Sequence, residues 1–598
     1  MTSAPTHASI FESFLTELAK SFESRNVPDF VDLFLPAGYF RDVLISHWGY
    51  ASISKDSLDK FFQTHGGLPN IVPRSIKVDP KKTLPLFNEG VNWIQGFFVF
   101  ETDIALGEGV ARIQSDPNTG NYRLLTLSLT LHQFKNHTPL AGPNRPRGVQ
   151  RGPERSPLNW LDERGLISSF SPNSPTPNPT VLIVGAGHAG LMLAARLRRL
   201  GILTLLIDKE ERLGDSWRKR YHSLVLHDTI YGDAFPYLAF PDDWPVFIPK
   251  DKIANWFESY ASIMELNVWL KSTVEPNSTS YDEATETWTI SIRKGDGSVR
   301  QLKCKHIVQA TGHSGEPSIP RFEGEETFKG SIRHSSVHEG GAQWRGKKAV
   351  VIGSGNSGHD IAHEFYNNGA AEVTIVQRSG TLVVSSEAGI PKLLESAGYR
   401  EGGLPIEEAD LSLVSLPWNF FEPYSTALHA MVQEEDKDLN DGLERAGFKI
   451  DGKDSPGLFY LYFRKGGGYY IDVGCSSLII DRKVKIKQGQ EVQQFEGEGV
   501  RFADGSLVKA DVVVLATGYK SMRESCRKIF GSHVADQTGT VWGLDPTGEF
   551  NGIWKYSGCP GFWYMGGNFL LCRIYSKYVA LWIQAIEQRI APKRPSVP

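Results

Sequence analysis

The chain has 598 residues, 40% hydrophobic and 22% charged, with a formal net charge of -4. These proportions describe a soluble globular protein with room for about four domains. So small a charge gives no basis for a nucleic-acid partner or an anionic membrane surface.

The five cysteines are Cys304, Cys475, Cys526, Cys559 and Cys572. Their number is odd and no pair has Cys-x-x-Cys spacing, so neither a disulfide framework nor a metal site is expected. A reducing, cytoplasmic setting follows. The N-terminus lacks a basic segment followed by an apolar one, and no apolar run approaches the roughly 20 residues that span a bilayer.

Residues 1–140 read as one α+β unit. Helices are predicted at 10–24, 29–34 and 57–64 from apolar periodicity. Strands are predicted at 76–78, 93–102, 109–114 and 122–131. The last strands alternate as in an antiparallel sheet with one solvated face. Residues 141–178 are rich in Pro, Ser and Asn and read as a linker, with a short helix near 158–166. From 179 onward, short apolar strands alternate with helices, the pattern of a parallel sheet with crossover helices.

The segment V-L-I-V-G-A-G-H-A-G ends an apolar strand in Gly185, Ala186, Gly187, His188, Ala189 and Gly190. Gly185 permits the tight turn, Gly187 admits a pyrophosphate, and Gly190 lets the next helix pack on the strand. The helix N-terminus at 191–200 favours the phosphate charge by about 0.3–1 kcal/mol. Asp208 closes the following strand, where a carboxylate accepts from ribose hydroxyls. Gly214 and Trp217 follow. Apolar strands end in Ala-Thr-Gly twice, at Thr311 and Gly312 and again at Gly518. The small residues there allow close approach to a ligand, and the recurrence of this pair resembles two-dinucleotide flavoproteins, a resemblance that implies a flavin. A Gly-Gly-Asn ahead of a helix at 574–587 could turn a positive helix end towards the flavin pyrimidine.

A second loop, V-V-I-G-S-G-N-S-G, offers Gly353, Ser354, Gly355, Asn356, Ser357 and Gly358. Its second strand ends in Gln377 and Arg378 rather than an acid. A ribose 2′-phosphate needs a cation and is repelled by a carboxylate, so NADPH is expected in preference to NADH. The insert after Ser379 carries an aromatic cluster at 418–424, read as core or substrate wall. Its run Q-E-E-D-K-D-L-N-D is read as a solvated helix face.

Between the loops, Phe328, Gly330 and His334 form F-x-G-x-x-x-H. With both glycine motifs and L-A-T-G-Y, the order of segments over about 180–595 resembles the class B flavin-containing monooxygenases, in particular their plant indole-pyruvate (YUCCA-type) branch. The first unit, with W-G-Y after Y-F-R-D-V-L-I-S-H, resembles a SnoaL-like cone. The resemblance implies an α/β, two-dinucleotide-binding-domain (Rossmann-like) flavoprotein. Its domains are 1–140, a linker 141–178, an FAD-binding part 179–340, an NADPH-binding part with an insert 341–504, and a returning FAD-binding part 505–598.

The resemblance further implies FAD, NADPH and O2 as reactants and transfer of one oxygen atom to a small organic substrate through a C4a-hydroperoxyflavin. No catalytic acid–base set is implied. His334 is expected to orient the nucleotide, to link the two domains, or to serve structure alone. The family pattern is broken at His338, where an aromatic residue is usual, and at His227 and Asp228, where some relatives carry asparagine. The latter two are read first as buried hydrogen-bonding groups. An NADPH oxidase or flavin reductase, and a non-enzymatic nucleotide sensor, stay open as alternatives. A homodimer is an expected assembly.

Overall fold

A computed structural model describes residues 6–88, 92–148, 157–452 and 455–595. The helix His7–Ser24 opens on Thr6, whose hydroxyl accepts from the Ser9 amide, and buries Phe11, Phe14, Leu15 and Leu18 as one stripe. The second helix is Val27–Val31, shorter and earlier than the predicted 29–34, because Phe34 already opens the strand Phe34–Val43. That strand was hidden by Pro36 and Gly38; its register against Tyr122–Phe134 shifts between Phe34 and Tyr39 to absorb them. The third helix is Leu58–Thr64.

The strands run in the order Tyr50–Ser54, Phe34–Val43, Tyr122–Phe134, Ala105–Ser115, Trp93–Glu101, Lys77–Val78, with Leu86–Asn88 also on Trp93–Glu101. Helices therefore do not all precede the sheet. One face, including Ile94, Phe98, Phe100 and Ile113, packs on the three helices. The other was expected in solvent. Instead Thr126, Ser128 and Thr130 are wholly buried there, and Phe97, Val110 and Tyr50 join the main core of the chain. Polar alternation marks a face here, but the face is covered by protein.

Within 141–178 the helix Trp160–Ser169 starts on a capping box of Asn159 and Asp162. Beyond it lies a parallel sheet in the order Val268–Trp269, Thr204–Ile207, Val181–Val184, His306–Gln309, Phe562–Tyr564. A second parallel sheet runs Ser331–His334, Val512–Leu515, Lys348–Ile352, Glu372–Gln377, Lys485–Gln488.

The linear division at 340 and 504 is thus corrected. Strands 331–334 and 512–515, placed by sequence with the first nucleotide unit, belong to the second sheet. The outgoing and returning segments are tied where they cross: the Ser318 amide donates to the Gly518 carbonyl at 2.9 Å, and the Thr517 hydroxyl donates to the Ser318 carbonyl at 2.6 Å.

The insert forms helices Gly389–Glu395, Ile406–Val414, Trp418–Glu435, Lys437–Arg445 and Leu458–Lys465. Asp436, expected on a solvated face, is buried and accepts from the Ser385 amide and hydroxyl. The last helix, Phe569–Glu587, begins five residues before its predicted start, on an Asn568 cap. By length and composition it meets the measure of a membrane span, but its apolar window is 94% buried inside the protein, which makes it a core helix.

Candidate functional site

The two glycine loops share one geometry. Gly185 has φ +109°, and a Cβ there would stand 2.4 Å from the Ala310 carbonyl oxygen; at Gly190 it would stand 2.1 Å from that of Gly185. In the second loop Gly353 has φ +120° and would meet the Ala516 carbonyl at 2.3 Å, while Gly358 would meet that of Gly353 at 2.0 Å. Each Ala-Thr-Gly segment therefore backs its own loop. The one at 516–518, read from sequence as flavin-facing, packs on the second loop. The middle glycines differ in kind: a Cβ on Gly187 meets nothing within 4 Å, and one on Gly355 only the Tyr469 carbonyl at 3.7 Å. Each leaves open space at a helix N-terminus, the cradle a dinucleotide pyrophosphate requires.

Asp208 stands at the first loop, accepting from the Ala186 amide at 2.7 Å and the Glu210 amide at 2.9 Å. Its remaining lone pairs can accept ribose hydroxyls. Ala186 and Ala189 bury their methyl groups, so these positions offer backbone only. His188 donates from Nε2 to the Gly567 carbonyl at 2.8 Å and stacks on Phe569 at 4.4 Å. Burial lowers its pKa and favours the neutral ring. Trp217 lies 5.9 Å from the same Phe569 ring. Thr311 accepts from Gln309 at 3.2 Å, and Gly312 takes φ +83° just after it. The first loop and Trp217 thus meet the N-terminus of Phe569–Glu587.

At the second loop, Ser354 hydrogen-bonds Thr381 at 2.7 Å, and the Asn356 amide oxygen accepts from the Ile471 amide at 2.8 Å. One lone pair of the Asn356 amide oxygen is thereby engaged by the strand Tyr469–Asp472. Ser357 lies in the first turn of the helix Asn356–Asn367. Gln377 is wholly buried and holds both backbone groups of Lys449, at 2.9 and 2.8 Å. Arg378, next to it, is exposed and has no ion pair or hydrogen bond among the described residues. A free guanidinium at this strand end fits a 2′-phosphate.

The F-x-G-x-x-x-H residues are largely architectural. Phe328 packs edge-on against Phe495, and a Cβ on Gly330 would stand 2.4 Å from the Asp511 carbonyl. His334 accepts from the Ser336 amide at Nδ1, so its Nε2 donates to the Gly518 carbonyl at 3.1 Å. It fixes the crossing between the sheets rather than reaching for a ligand. His338 is buried 3.3 Å from Glu364.

Residues 227 and 228 reach in two directions. His227 lies 3.2 Å from Asp360 on the helix of the second loop, and Tyr221 donates to the same carboxylate. Burial opposes the imidazolium, but Asp360 outweighs it and raises the His227 pKa. Asp228 accepts from the Asn568 side chain at 3.4 Å; burial raises its pKa against the pull of His227. Both are half-buried hydrogen-bonding groups, and together they link the helix of the second loop to the Asn568 cap.

The Gly-Gly-Asn segment stands out in the sequence, but no side-chain role is read there for Asn568 or Phe569, and Tyr462 is passed over. Asn568 caps the helix by accepting from the Leu571 amide at 3.0 Å, and its own amide donates to the Tyr462 hydroxyl at 2.8 Å. An Asn directly before an apolar run is a signal that could have found it. Asn568 and Tyr462 also line a cavity of about 680 Å³, walled by Trp93, Phe421, Phe459 and Leu571.

The flavin-binding monooxygenase-like family matches residues 181–394. The chain is 30% identical over 345 residues to the probable indole-3-pyruvate monooxygenase YUCCA3 of Arabidopsis thaliana, covering 57% of this chain and 73% of that protein. It is 29% identical over 345 residues to the indole-3-pyruvate monooxygenase YUCCA1 of Oryza sativa subsp. japonica, covering 57% and 77%. Among solved structures, the epsilon-caprolactone-bound cyclohexanone monooxygenase in its Loose conformation shares the fold, with a TM-score of 0.51 at 18% identity over 69% of this chain and 88% of that one. With both dinucleotide cradles in place and relatives of this identity and coverage, the chain belongs to the flavin-binding monooxygenase-like family.

Proposed function

We propose that the chain is an NADPH-dependent FAD monooxygenase that oxygenates a small, largely apolar molecule held in the cavity beside Asn568. The carrying observation is the pair of matched loops, each with an open middle glycine; His227 and Asp228 link the second loop's helix to the Asn568 cap, and His188 of the first loop bonds the adjacent Gly567 carbonyl. FAD would be held by 185–190, Asp208, Trp217, Thr311 and Gly312, and NADPH by 353–358 and Arg378. Held there, the two cofactors would supply hydride transfer and dioxygen activation, with one oxygen atom going to the substrate and the other to water.

The protein's part is to hold, orient and keep dry. The N-terminus of Phe569–Glu587 favours negative charge on the flavin side. His188, kept neutral, fixes that terminus to the first loop without adding a competing charge. Asp228, its pKa raised by burial, stands against the Asn568 cap.

The first 140 residues are read as a SnoaL-like cone, supported by the mixed sheet with its helices on one face. A reducing cytoplasmic setting is supported by five buried, free cysteines. The test measures NADPH consumed, peroxide released and oxygenated product formed by the yellow holoprotein. Coupled product formation is expected; quantitative release of peroxide with every substrate class would replace this reading by an NADPH oxidase.

A further inference from the structure

Among the described residues three arginines are almost wholly buried: Arg41, Arg112 and Arg573, at 0, 1 and 2% exposure. Two meet carboxylates. Arg41 lies 3.0 Å from Glu549, and Arg573 grips Asp410 at 2.8 and 2.6 Å. Arg112 does not. Its terminal nitrogens donate only to neutral oxygens: Thr126 Oγ1 at 3.2 Å, Ser415 Oγ at 3.0 Å, and the Ser412 carbonyl and hydroxyl at 2.9 and 3.2 Å. Its Nε has no partner, and among the described residues no carboxylate lies within ion-pairing distance. Burial pushes its pKa down to about 10, so it stays charged at neutral pH. A desolvated cation without an anion is costly and asks for a counter-charge from outside the protein.

The place of Arg112 says where that charge would enter. It lies on the buried face of the N-terminal sheet, directly across from Gln95, and both line the cavity that Tyr462 and Asn568 also line. The rest of the wall is mainly aromatic and aliphatic, with Trp93 from the N-terminal sheet and Phe421, Tyr424 and Phe459 from the insert. A volume of about 680 Å³ suits one small organic molecule. The Ser415 hydroxyl already donates to the Ser412 carbonyl at 2.6 Å and the Ser412 hydroxyl to Gln95 Oε1 at 3.4 Å, so an incoming anion would displace these two hydroxyls as acceptors of guanidinium N–H groups.

We propose that the N-terminal sheet completes the substrate cavity, and that the cavity takes an apolar molecule bearing one carboxylate, read by Arg112. Identifying the occupant as the substrate rests on the monooxygenase reading; the preference for an anion does not. The first domain is then part of the binding site and sets its specificity, with Trp93 covering the apolar body and Arg112 the charge.

The test uses the full-length holoprotein and a matched probe pair, 3-phenylpropionate and its neutral amide, 3-phenylpropionamide, titrated by tryptophan fluorescence. The carboxylate is expected to bind at least about tenfold tighter than the amide, the scale of a charge-assisted contact. Arg112→Gln is expected to bring that ratio to about one while amide binding stays within about threefold. Should Arg112→Gln fail to fold, Gln95→Glu decides: it sets a carboxylate across from Arg112 and is expected to abolish the preference. A ratio near one in the wild type, a failure of the carboxylate to bind, or an unchanged ratio in either folded variant would overturn the proposal. NADPH oxidation and flavin content are read on the same samples. A yellow, NADPH-oxidising protein that ignores the charge of the probe sinks this inference alone; a protein that discriminates the probes but holds no flavin sinks the monooxygenase reading alone.

Discussion

Arg41 and Glu549 are separated by 508 positions in the chain and meet at 3.0 Å with both side chains fully buried. Glu549 also accepts from Ser52 at 2.5 Å, Arg41 also donates to the Leu416 carbonyl at 2.7 Å, and the guanidinium lies 5.0 Å from the Trp418 ring. First domain, insert and C-terminal segment are thus clasped at one point. Glu549→Leu leaves Arg41 buried and unpaired and is expected to cost about 3–5 kcal/mol, whereas Arg41→Met combined with Glu549→Leu recovers most of that loss. The midpoint of the first urea transition checks this. Equal destabilisation by the single and double variants would refute it.

Arg378→Ala is expected to weaken NADPH by about 10- to 100-fold, the value of a charge-assisted phosphate contact, and to leave NADH nearly unchanged. The side chain is exposed and unpaired among the described residues, so thermal stability should stay within about 0.5 kcal/mol. Steady-state KM values for the two coenzymes decide. Equal loss for both removes the phosphate assignment.

Gly187→Val and Gly190→Val separate ligand space from packing space. A side chain at Gly187 meets no protein atom within 4 Å, so the variant is expected to fold normally, as judged by circular dichroism, and to purify colourless. At Gly190 the Cβ would stand 2.1 Å from the Gly185 carbonyl, so that variant should lose the fold as well. Retention of bound flavin by Gly187→Val would show that the cradle lies elsewhere.

Glu108 on the first sheet holds Lys577 of the last helix at 2.9 Å, with Lys82 at 2.8 Å and His132 at 2.8 Å. Burial pushes the carboxyl up, but Lys577, His132 and Lys82 outweigh it and hold it well below its ordinary 4.5. A carboxylate depressed by folding contributes stability above its ordinary value and loses it as pH falls through the folded value. Lys577, raised above 10.5 because Glu108 outweighs burial, contributes below that value and loses it only on the alkaline side. Docking of the first domain should therefore hold through neutral pH and loosen in acid, starting below 4.5. Pepsin cleavage within 141–178 as pH falls is the measurement. Glu108→Gln should flatten that acid limb; a variant that keeps the wild-type pH profile would contradict the assignment.

Much of the site was legible because its demands are local. A loop that must turn at Gly185 and pack at Gly190 has few alternatives, and the same holds for Gly353 and Gly358. The free cation at Arg378 could be read from the residue type alone. What stayed hidden was set by distant segments. Nothing near Thr126, Ser128 and Thr130 says that a second domain covers them. The strand at 512–515 is as apolar as its neighbours, so its membership of the second sheet follows only from the crossing at Ser318 and Gly518. Asp436 looked solvated until Ser385, 51 positions away, was placed beside it.

The helix Phe569–Glu587 begins at the Asn568 cap and then runs beneath the first domain, with Tyr575 and Trp582 against Tyr50 and Gln584 bonded to the His137 carbonyl. The first domain and this helix are therefore matched to each other. Recombination that swapped in a foreign domain in place of the first would join surfaces with no complementary partner, so in descent, as in any engineered chimaera, the domain and the helix are expected to travel as a unit.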